Sequence, residues 1–343
     1  MLKHRVLVLV DMEFQMPEDI NKVDQKWLVS WKTEYDVITA LEKLGHEIRI
    51  MGGVTELGVL RECLASWKPH IVFNLLEEFF GQNFYVPYLM GYFELIRQPF
   101  TGCSPSSMLL ASNKPLTKQI LAYHRIPMPH FKVFPTGKRV RRPRGLDFPL
   151  IVKSTTEHGS EGISQASVVT TDESLQERVE FIHTRLGTDA MAEEYIDGRE
   201  VYVGVLGNRR LATLPIWEVL FTNLPEGSKP ISTSKIKWDM GYRAKVGVET
   251  GPAKNLLPGV EDRLRKLCKR VSRILGFCGY ARMDFRVRED GKIFLIECNP
   301  NPDLGRYEDY AESALSMGIQ YEDLIARVVT LGLRSPPVRP LPT

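Results

Sequence analysis

The sequence is poor in the features that mark disulfide-rich, zinc-binding or membrane proteins. Its five cysteines are odd in number and widely spaced, with no CxxC pair, so neither a disulfide framework nor a zinc ribbon is indicated. The apolar run from Val6 to Val10 is broken by Asp11 and is too short for a signal-peptide core or a membrane span. These absences predict a protein of the reducing cytoplasm that does not enter a membrane.

The sequence also lacks a large excess of charge of either sign. A formal net charge of +3 over 343 residues argues against a surface built to hold a nucleic-acid backbone. The basic run from Lys138 to Arg144 is interpreted as a solvated loop. Neither GxxxxGK[ST] nor GxGxxG occurs. The lack of the second argues against a dinucleotide-dependent oxidoreductase, which the strand–helix alternation near the N-terminus would otherwise suggest.

The length of 343 residues predicts two or three packed subdomains. Short apolar runs alternate with helical patterns over residues 1–105, which is typical of a Rossmann-like parallel sheet. Residues 106–123 read as a helix, followed by an extended, proline-punctuated link. Strand-rich α+β patterns then fill 106–196 and 197–335, and a Pro-rich tail occupies 336–343. The predicted fold class is therefore α/β followed by α+β.

The most informative segment is 281–299, in which two strand-like runs flank Asp290 and Gly291. An Asp-Gly pair between such runs is a strong signal for a β-hairpin with a two-residue loop. Pairing outward from that loop places Asp284 opposite Glu297. Two carboxylates so opposed have Cβ atoms only about 4.5–5.5 Å apart and repel each other unless a proton or a cation lies between them.

Side chains alternate along each strand, so Arg282 and Asn299 share the face of these carboxylates. The reverse face is predicted to be apolar and buried, with Met283, Phe285, Val287, Phe294, Ile296 and Cys298. Oxygen donors from Asp284, Glu297 and Asn299 suit Mg²⁺, which usually completes its shell with waters and phosphates. The hairpin therefore predicts a magnesium site that works with a nucleotide, beside an arginine that could neutralise developing charge.

Weaker signals for nucleotide binding precede the hairpin. Lys153 ends a strand-like run and is followed by a loop with Gly159, Ser160 and Gly162, whose backbone amides could cradle phosphates. Residues 193–196 could form an exposed edge that binds adenine, and Glu200 could accept a hydrogen bond from a ribose hydroxyl. Each has an alternative interpretation, as an ordinary glycine hairpin or as solvated glutamates.

Together, the ordered segments IVFNLL, SNK, PLIVK with its glycine loop, EEYIDGRE, ARMDF and LIECNPNP resemble the ATP-grasp superfamily, specifically the D-alanine–D-alanine ligase family. The likeness covers nearly the whole chain. It implies an N-terminal Rossmann-like domain followed by a two-subdomain ATP-grasp fold. It also implies that ATP, held between the two subdomains, activates a carboxylate as an acyl phosphate before an amine attacks.

The resemblance also implies roles for individual residues. Lys114 and Lys153 would hold the phosphates, and the loop from Glu157 to Gly162 would close over them. Arg282 would stabilise the oxyanion, and Lys237 would lie near the γ-phosphate. Adenine would be contacted by Glu193, Glu194, Tyr195 and Ile196, and ribose by Glu200. One or two Mg²⁺ ions, or Mn²⁺ in their place, would be bound by Asp284, Glu297 and Asn299.

Departures from the family pattern are concentrated at the substrate end. The N-terminal GGxSxE signature is missing, and Glu34, or alternatively Glu13, is predicted to replace its carboxylate. Asp303 stands where the family usually has glycine, and a negative side chain there would disfavour an incoming carboxylate. Glu194 stands where a lysine often contacts adenine. These departures predict a substrate pair other than two free D-alanines.

The predicted activity is an ATP-dependent, ADP-forming ligation of a carboxylate to an amine. The expected substrates are amino acids or short peptides, and a homodimer remains open. A non-catalytic ATP-binding relative is the alternative, although the complete metal face argues against loss of activity.

Overall fold

The computed structural model describes residues 2–12, 14, 16–17, 22–54, 56–157 and 159–334. The predicted tail at 336–343 and the alternative residue Glu13 lie outside these ranges. The strands are Arg5–Leu9 (β1), Glu47–Met51 (β2), Ile71–Asn74 (β3), Phe131–Phe134 (β4), Leu150–Ser154 (β5), Val168–Val169 (β6), Ala190–Glu194 (β7), Arg199–Leu206 (β8), Ala212–Phe221 (β9), Val248–Pro252 (β10), Tyr280–Val287 (β11) and Ile293–Pro300 (β12). The α-helices are Gln25–Lys43 (α1), Leu57–Trp67 (α2), Val86–Leu95 (α3), Pro105–Ser112 (α4), Lys114–Tyr123 (α5), Asp172–Arg185 (α6), Ser234–Trp238 (α7), Met240–Lys245 (α8), Val260–Leu275 (α9), Asp309–Ser316 (α10) and Tyr321–Leu333 (α11).

The N-terminal sheet is parallel, with strand order β2-β1-β3, as predicted. Both faces of β1 are buried, because its side chains alternate between two hydrophobic clusters. Leu7 and Leu9 join the cluster that includes α2 and α3, whereas Val6 and Val8 join the one that includes α1 and α11. A helix from the far end of the chain therefore completes this sheet, so the N-terminal domain shares its core with later residues.

Two antiparallel sheets follow. The first has the order β4-β7-β5-β6 and is covered by α6, and the second has the order β10-β9-β8-β11-β12 and packs against α9. This arrangement confirms the predicted mixed α/β and α+β class. Among the described residues, no helix is long and apolar enough to cross a membrane.

Two local predictions were wrong. The segment from residue 106 to 123 is not one helix but two, α4 and α5, because Asn113 leaves the helical conformation and its side-chain oxygen accepts a hydrogen bond of 3.0 Å from Leu116 N. This cap places Lys114 at the first position of α5. The predicted extended link contains β4, which pairs with β7.

Candidate active site

The hairpin β11–β12 pairs Asp284 with Glu297, as predicted from the sequence. The turn, however, has three residues rather than two, because Arg288 N donates to Lys292 O at 2.9 Å and Gly291 takes a positive φ of 76°. A β-bulge between Asp284 and Phe285 absorbs the extra residue and restores the predicted register at the carboxylates.

The bulge also corrects the predicted apolar face. Phe285 and Val287 are buried as expected, but their partners across the hairpin are Leu295 and Ile293. Phe294 and Ile296, predicted to be buried, are only partly so, and Ile296 lines the cleft on the other face of the sheet. The extra residue of the turn moves the side chains of β12 between the turn and the bulge to the opposite face of the sheet.

Asp284 is the centre of the polar face. Arg282 donates to both of its carboxylate oxygens, Nε to Oδ1 at 2.8 Å and Nη2 to Oδ2 at 3.0 Å. Asn299 Nδ2 donates to Oδ2 at 3.0 Å, which leaves the amide oxygen of Asn299 as its remaining polar atom. Burial raises the pKa of Asp284 despite the neighbouring Arg282, and Glu297 raises it further. A second positive charge at this point would therefore stabilise the ionised pair of carboxylates.

Tyr202 on β8 extends the polar face to the next strand, opposite Asp284. The guanidinium carbon of Arg282 lies 4.4 Å from the centroid of the Tyr202 ring, and the Tyr202 hydroxyl donates to Glu200 Oε1 at 2.8 Å. Tyr202 therefore links Arg282 to Glu200, the predicted ribose ligand.

Glu200 is held by three donors. Besides Tyr202, Ser232 Oγ donates to Oε1 at 2.8 Å, and Arg286 Nη2 donates to Oε2 at 2.6 Å. The two donors to Oε1 use its hydrogen-bonding capacity, so Oε2 is the atom with capacity left for a further donor.

Lys118, Lys153 and Glu193 form a buried cluster between α5 and the first antiparallel sheet. Lys153 Nζ lies 2.6 Å from Glu193 Oε1, and Lys118 Nζ lies 2.8 Å from Oε2, the latter contact being poorly angled for a hydrogen bond. Burial alone would raise the pKa of Glu193, but the two lysines outweigh it and hold that pKa below its usual value. Glu193 is therefore ionised and shared by two cations.

Lys114 joins the glycine loop to the metal face. Its Nζ donates to the main-chain oxygen of Glu157 and lies 3.3 Å from Glu297 Oε1. Burial lowers the pKa of Lys114, and Glu297 partly offsets that effect.

A cleft open to solvent lies between the two antiparallel sheets. The residues predicted for phosphate, base, ribose and metal contacts that line it are Lys114, Lys153, Glu157, Ser160, Glu193, Glu194, Tyr195, Ile196, Glu200, Lys237, Asp284 and Glu297. Arg282 and Asn299 adjoin it through Asp284, while Gly159 and Gly162 lie in the loop at its rim, both with positive φ. The structure thus brings most of the predicted residues to one place.

The glycine loop is tied to the segment that precedes α7. The side chain of Gln165 accepts from Lys229 N at 2.9 Å and donates to Lys229 O at 2.9 Å. Ser234 N donates to Ile163 O at 3.0 Å. These hydrogen bonds join residues 163–165 to residues 229–234 beside the cleft.

The predicted adenine edge needs a correction. Glu193 and Glu194 belong to β7, which pairs with β4 on one side and β5 on the other and is therefore interior to its sheet. Only the main chain beyond β7, at Tyr195 and Ile196, lies outside the paired strand, and Tyr195 N already donates to Pro149 O at 2.9 Å. The side chains of Glu193 and Glu194 still reach the cleft.

Glu34 is not part of this cleft. It lies on α1 near three other acidic side chains, Asp11, Asp303 and Glu77, each of which raises its pKa. Together with burial, the largest cause, they raise the pKa of Glu34 to about 7. Asp303 accepts hydrogen bonds of 2.8 Å from Thr33 Oγ1 and Gly305 N. Glu34 and Asp303, two of the acidic residues named among the departures, are therefore neighbours.

Three residues of the site escaped the sequence analysis. Lys118 follows Lys114 by four residues on α5, a spacing that puts two side chains on one helix face. Tyr202 and Arg286 continue the period-two patterns that contain Glu200 and Asp284. Spacing alone could have suggested all three.

Comparisons with known proteins identify one family. The family model described as D-ala D-ala ligase C-terminus matches residues 120–330. An uncharacterized protein of Sinorhizobium fredii is 31% identical over 87% of this chain and 86% of its own length. The D-alanine–D-alanine ligase of Nitratidesulfovibrio vulgaris strain DP4 is 29% identical over 88% of this chain and 95% of its own.

Solved structures share the fold. A D-alanine–D-alanine ligase from Bacillus anthracis, solved in complex with ATP, superposes with a TM-score of 0.74 at 20% identity, covering 96% of this chain and 98% of that one. The VanG D-Ala:D-Ser ligase from Enterococcus faecalis gives a TM-score of 0.68 at 18% identity, covering 96% and 100%.

Proposed function

The chain belongs to the D-alanine–D-alanine ligase family and is an ATP-dependent ligase, and we propose that it joins a carboxylate to an amine through an acyl phosphate. The observation that carries this proposal is the opposed pair Asp284 and Glu297, which lines the same cleft as Lys114 and Lys153. Carboxylates for a metal and lysines for phosphates are the parts that phosphoryl transfer requires.

The donor set fits Mg²⁺. Among the residues that the structure describes, no three His, Cys, Asp or Glu side chains gather as a metal site, and the candidate set is instead two carboxylates and the amide oxygen of Asn299. Mg²⁺ is commonly held by one or two carboxylates, with the rest of its shell from waters and phosphates. Bound between Asp284 and Glu297, it would neutralise negative charge on the phosphates during transfer.

The side chains of the cleft have separate tasks. Lys114 and Lys153 hold the phosphates, and the loop from Glu157 to Gly162 excludes water above them. The base lies beside residues 193–196, and Glu200 accepts from the ribose. Arg282, fixed by two hydrogen bonds to Asp284, stabilises the oxyanion that forms when the amine attacks, and Lys237 assists at the γ-phosphate.

The substrates are amino acids or short peptides, and the pair differs from two free D-alanines. Glu34 and Asp303 lie together at the substrate end, where Glu34 takes the place of the missing GGxSxE carboxylate and Asp303 disfavours an incoming carboxylate. The Enterococcus relative, named a D-Ala:D-Ser ligase, is a structural neighbour whose substrate pair also differs.

An ADP-release screen tests the proposal. The purified chain is incubated with ATP, Mg²⁺ and paired D- and L-amino acids, hydroxy acids and small peptides, and products are identified by mass. We expect amine-dependent ADP release, lost in Glu297→Gln and kept in the control Asp290→Asn, which changes an exposed carboxylate at the turn of the same hairpin. Tight ATP binding by calorimetry without ADP release in any mixture would instead indicate a binding protein.

A further inference from the structure

Lys118 is a charged residue that the proposed chemistry leaves without a task. It is 5% exposed, and it is absent from the lining of the cleft although Lys114, one helical turn earlier, is part of it. Its ammonium lies 5.8 Å from the centroid of the Phe131 ring and 2.8 Å from Glu193 Oε2. Lys118 therefore contacts Glu193 from outside the cleft.

Burying a charge costs desolvation free energy, and Lys118 is a third charge buried beside an existing ion pair. Lys153 and Glu193 alone would form a neutral pair, because one carboxylate balances one ammonium. With Lys118 on the other oxygen of Glu193, the three groups carry a net charge of +1. Glu193 is 1% exposed and Lys153 6%, so water screens this charge only weakly.

We propose that Lys118 is a positioning residue for nucleotide binding, which engages one oxygen of Glu193 so that Lys153 keeps a positive charge available to the phosphates of ATP. This inference rests on the proposed function, since it assigns Lys153 to the phosphates. Glu193 in turn holds the Lys153 ammonium at a fixed point in the cleft, at 2.6 Å. The predicted adenine residue Glu193 thus has a second task, which is to orient a lysine.

The directions of the pKa shifts agree with this division. Burial lowers the pKa of Lys118, because its charge is not solvated. Burial acts on Lys153 in the same direction, but Glu193 outweighs it and the pKa of Lys153 is raised. The lysine that faces the cleft is the one whose charge the cluster favours.

The test compares three variants by the Kd of ATP from calorimetry and by KM and kcat in the ADP-release assay. Lys118→Met removes the charge at similar length and should raise the KM and Kd of ATP about tenfold, with kcat at saturating ATP changed less than about threefold. Lys118→Arg keeps the charge and should stay within about threefold of wild type. Lys118→Gln also lacks the charge but keeps a hydrogen-bond donor for Glu193, and it should raise the Kd of ATP to a similar extent as Lys118→Met.

Wild-type ATP affinity in Lys118→Met, or an equal loss in Lys118→Arg, would overturn the proposal. If Lys118→Met does not fold, judged by circular dichroism, Lys118→Gln decides: a loss of affinity of about tenfold supports the proposal, and affinity near wild type refutes it. The Kd of ATP is measured without any acid or amine. A wrong substrate prediction, seen as absent ADP release in wild type, therefore leaves this outcome readable on its own.

Discussion

Asp284 and Glu297 are both proposed metal ligands, yet the structure predicts different consequences for stability when each is neutralised. Asp284 accepts two hydrogen bonds from Arg282, whose side chain is only 19% exposed. Glu297 lies 3.3 Å from Lys114, which also donates to a main-chain oxygen. Asp284→Asn thus leaves a mostly buried guanidinium without its counter-charge, whereas Glu297→Gln leaves Lys114 with another acceptor.

The magnitudes follow from these contacts. Breaking a buried ion pair by removing one partner costs roughly 3–5 kcal/mol. Asparagine keeps one oxygen for Arg282, so we expect a loss of about 2–3 kcal/mol in the free energy of unfolding for Asp284→Asn. For a chain of this size, that is a fall in Tm of about 3–4 °C. Glu297→Gln should cost about 1 kcal/mol, because Glu297 is itself 30% exposed and Lys114 keeps the main-chain oxygen of Glu157 as an acceptor. Both should lower ADP release at least about 100-fold, because each removes half of the carboxylate charge that holds the metal.

Thermal unfolding in EDTA measures stability without any contribution from metal binding, and ADP release in Mg²⁺ measures activity. The double variant Arg282→Met with Asp284→Asn should recover most of the lost Tm, because no unpaired charge remains, but no activity. Equal losses of Tm in Asp284→Asn and Glu297→Gln, or no recovery in the double variant, would refute the ion-pair reasoning. Turnover near wild type in both single variants would refute the metal site.

Three further outcomes are expected. Tyr202→Phe removes one of three donors to Glu200 and should raise KM for ATP about fivefold with kcat unchanged, because hydrogen bonds to charged groups contribute about 1.5–3 kcal/mol and two donors remain. Gln165→Ala removes both hydrogen bonds to Lys229 and should raise KM for ATP about threefold through a less closed loop. The folded pKa of Glu34 is raised to about 7 from 4.5, so protonated Glu34 favours the folded state at low pH, and this stability is lost as pH rises from 4.5 through 7. Glu34→Gln should therefore flatten the fall in Tm over that range by an amount equivalent to about 3–4 kcal/mol at most.

Each of these outcomes has a control. Tyr123→Phe changes a tyrosine that is 84% exposed and should leave KM unchanged; an equal rise in both tyrosine variants would contradict the network around Glu200. Near the glycine loop, Gln165→Glu should raise KM for ATP more than Gln165→Ala, because a carboxylate oxygen would face the carbonyl oxygen of Lys229 and repel it, whereas alanine only removes the contact. The reverse order would contradict the contact. A Tm profile of Glu34→Gln parallel to that of wild type would contradict the raised pKa.

Local rules on the sequence predicted which side chains share the proposed metal face. Alternation along strands and the Asp-Gly turn signal place Asp284 opposite Glu297, and they do so because strand periodicity acts over a few residues and does not depend on the rest of the fold. Those rules predicted neither the three-residue turn nor the bulge. Each alone would have shifted the register by one residue, and their effects cancel at the carboxylates but not at Phe294 and Ile296.

Which charged side chains contact one another was visible only in the tertiary structure. Lys118, Lys153 and Glu193 come from α5, β5 and β7, and nothing in their local sequence indicates that one carboxylate lies between two lysines. The same holds for α11, which crosses back from the end of the chain to cover the N-terminal sheet. Such contacts depend on packing between elements far apart in the chain, where burial makes each unpaired charge costly and so selects its partner. Spacing along the chain predicts which side chains share one face of a helix or strand. Tertiary packing determines which other elements contact that face.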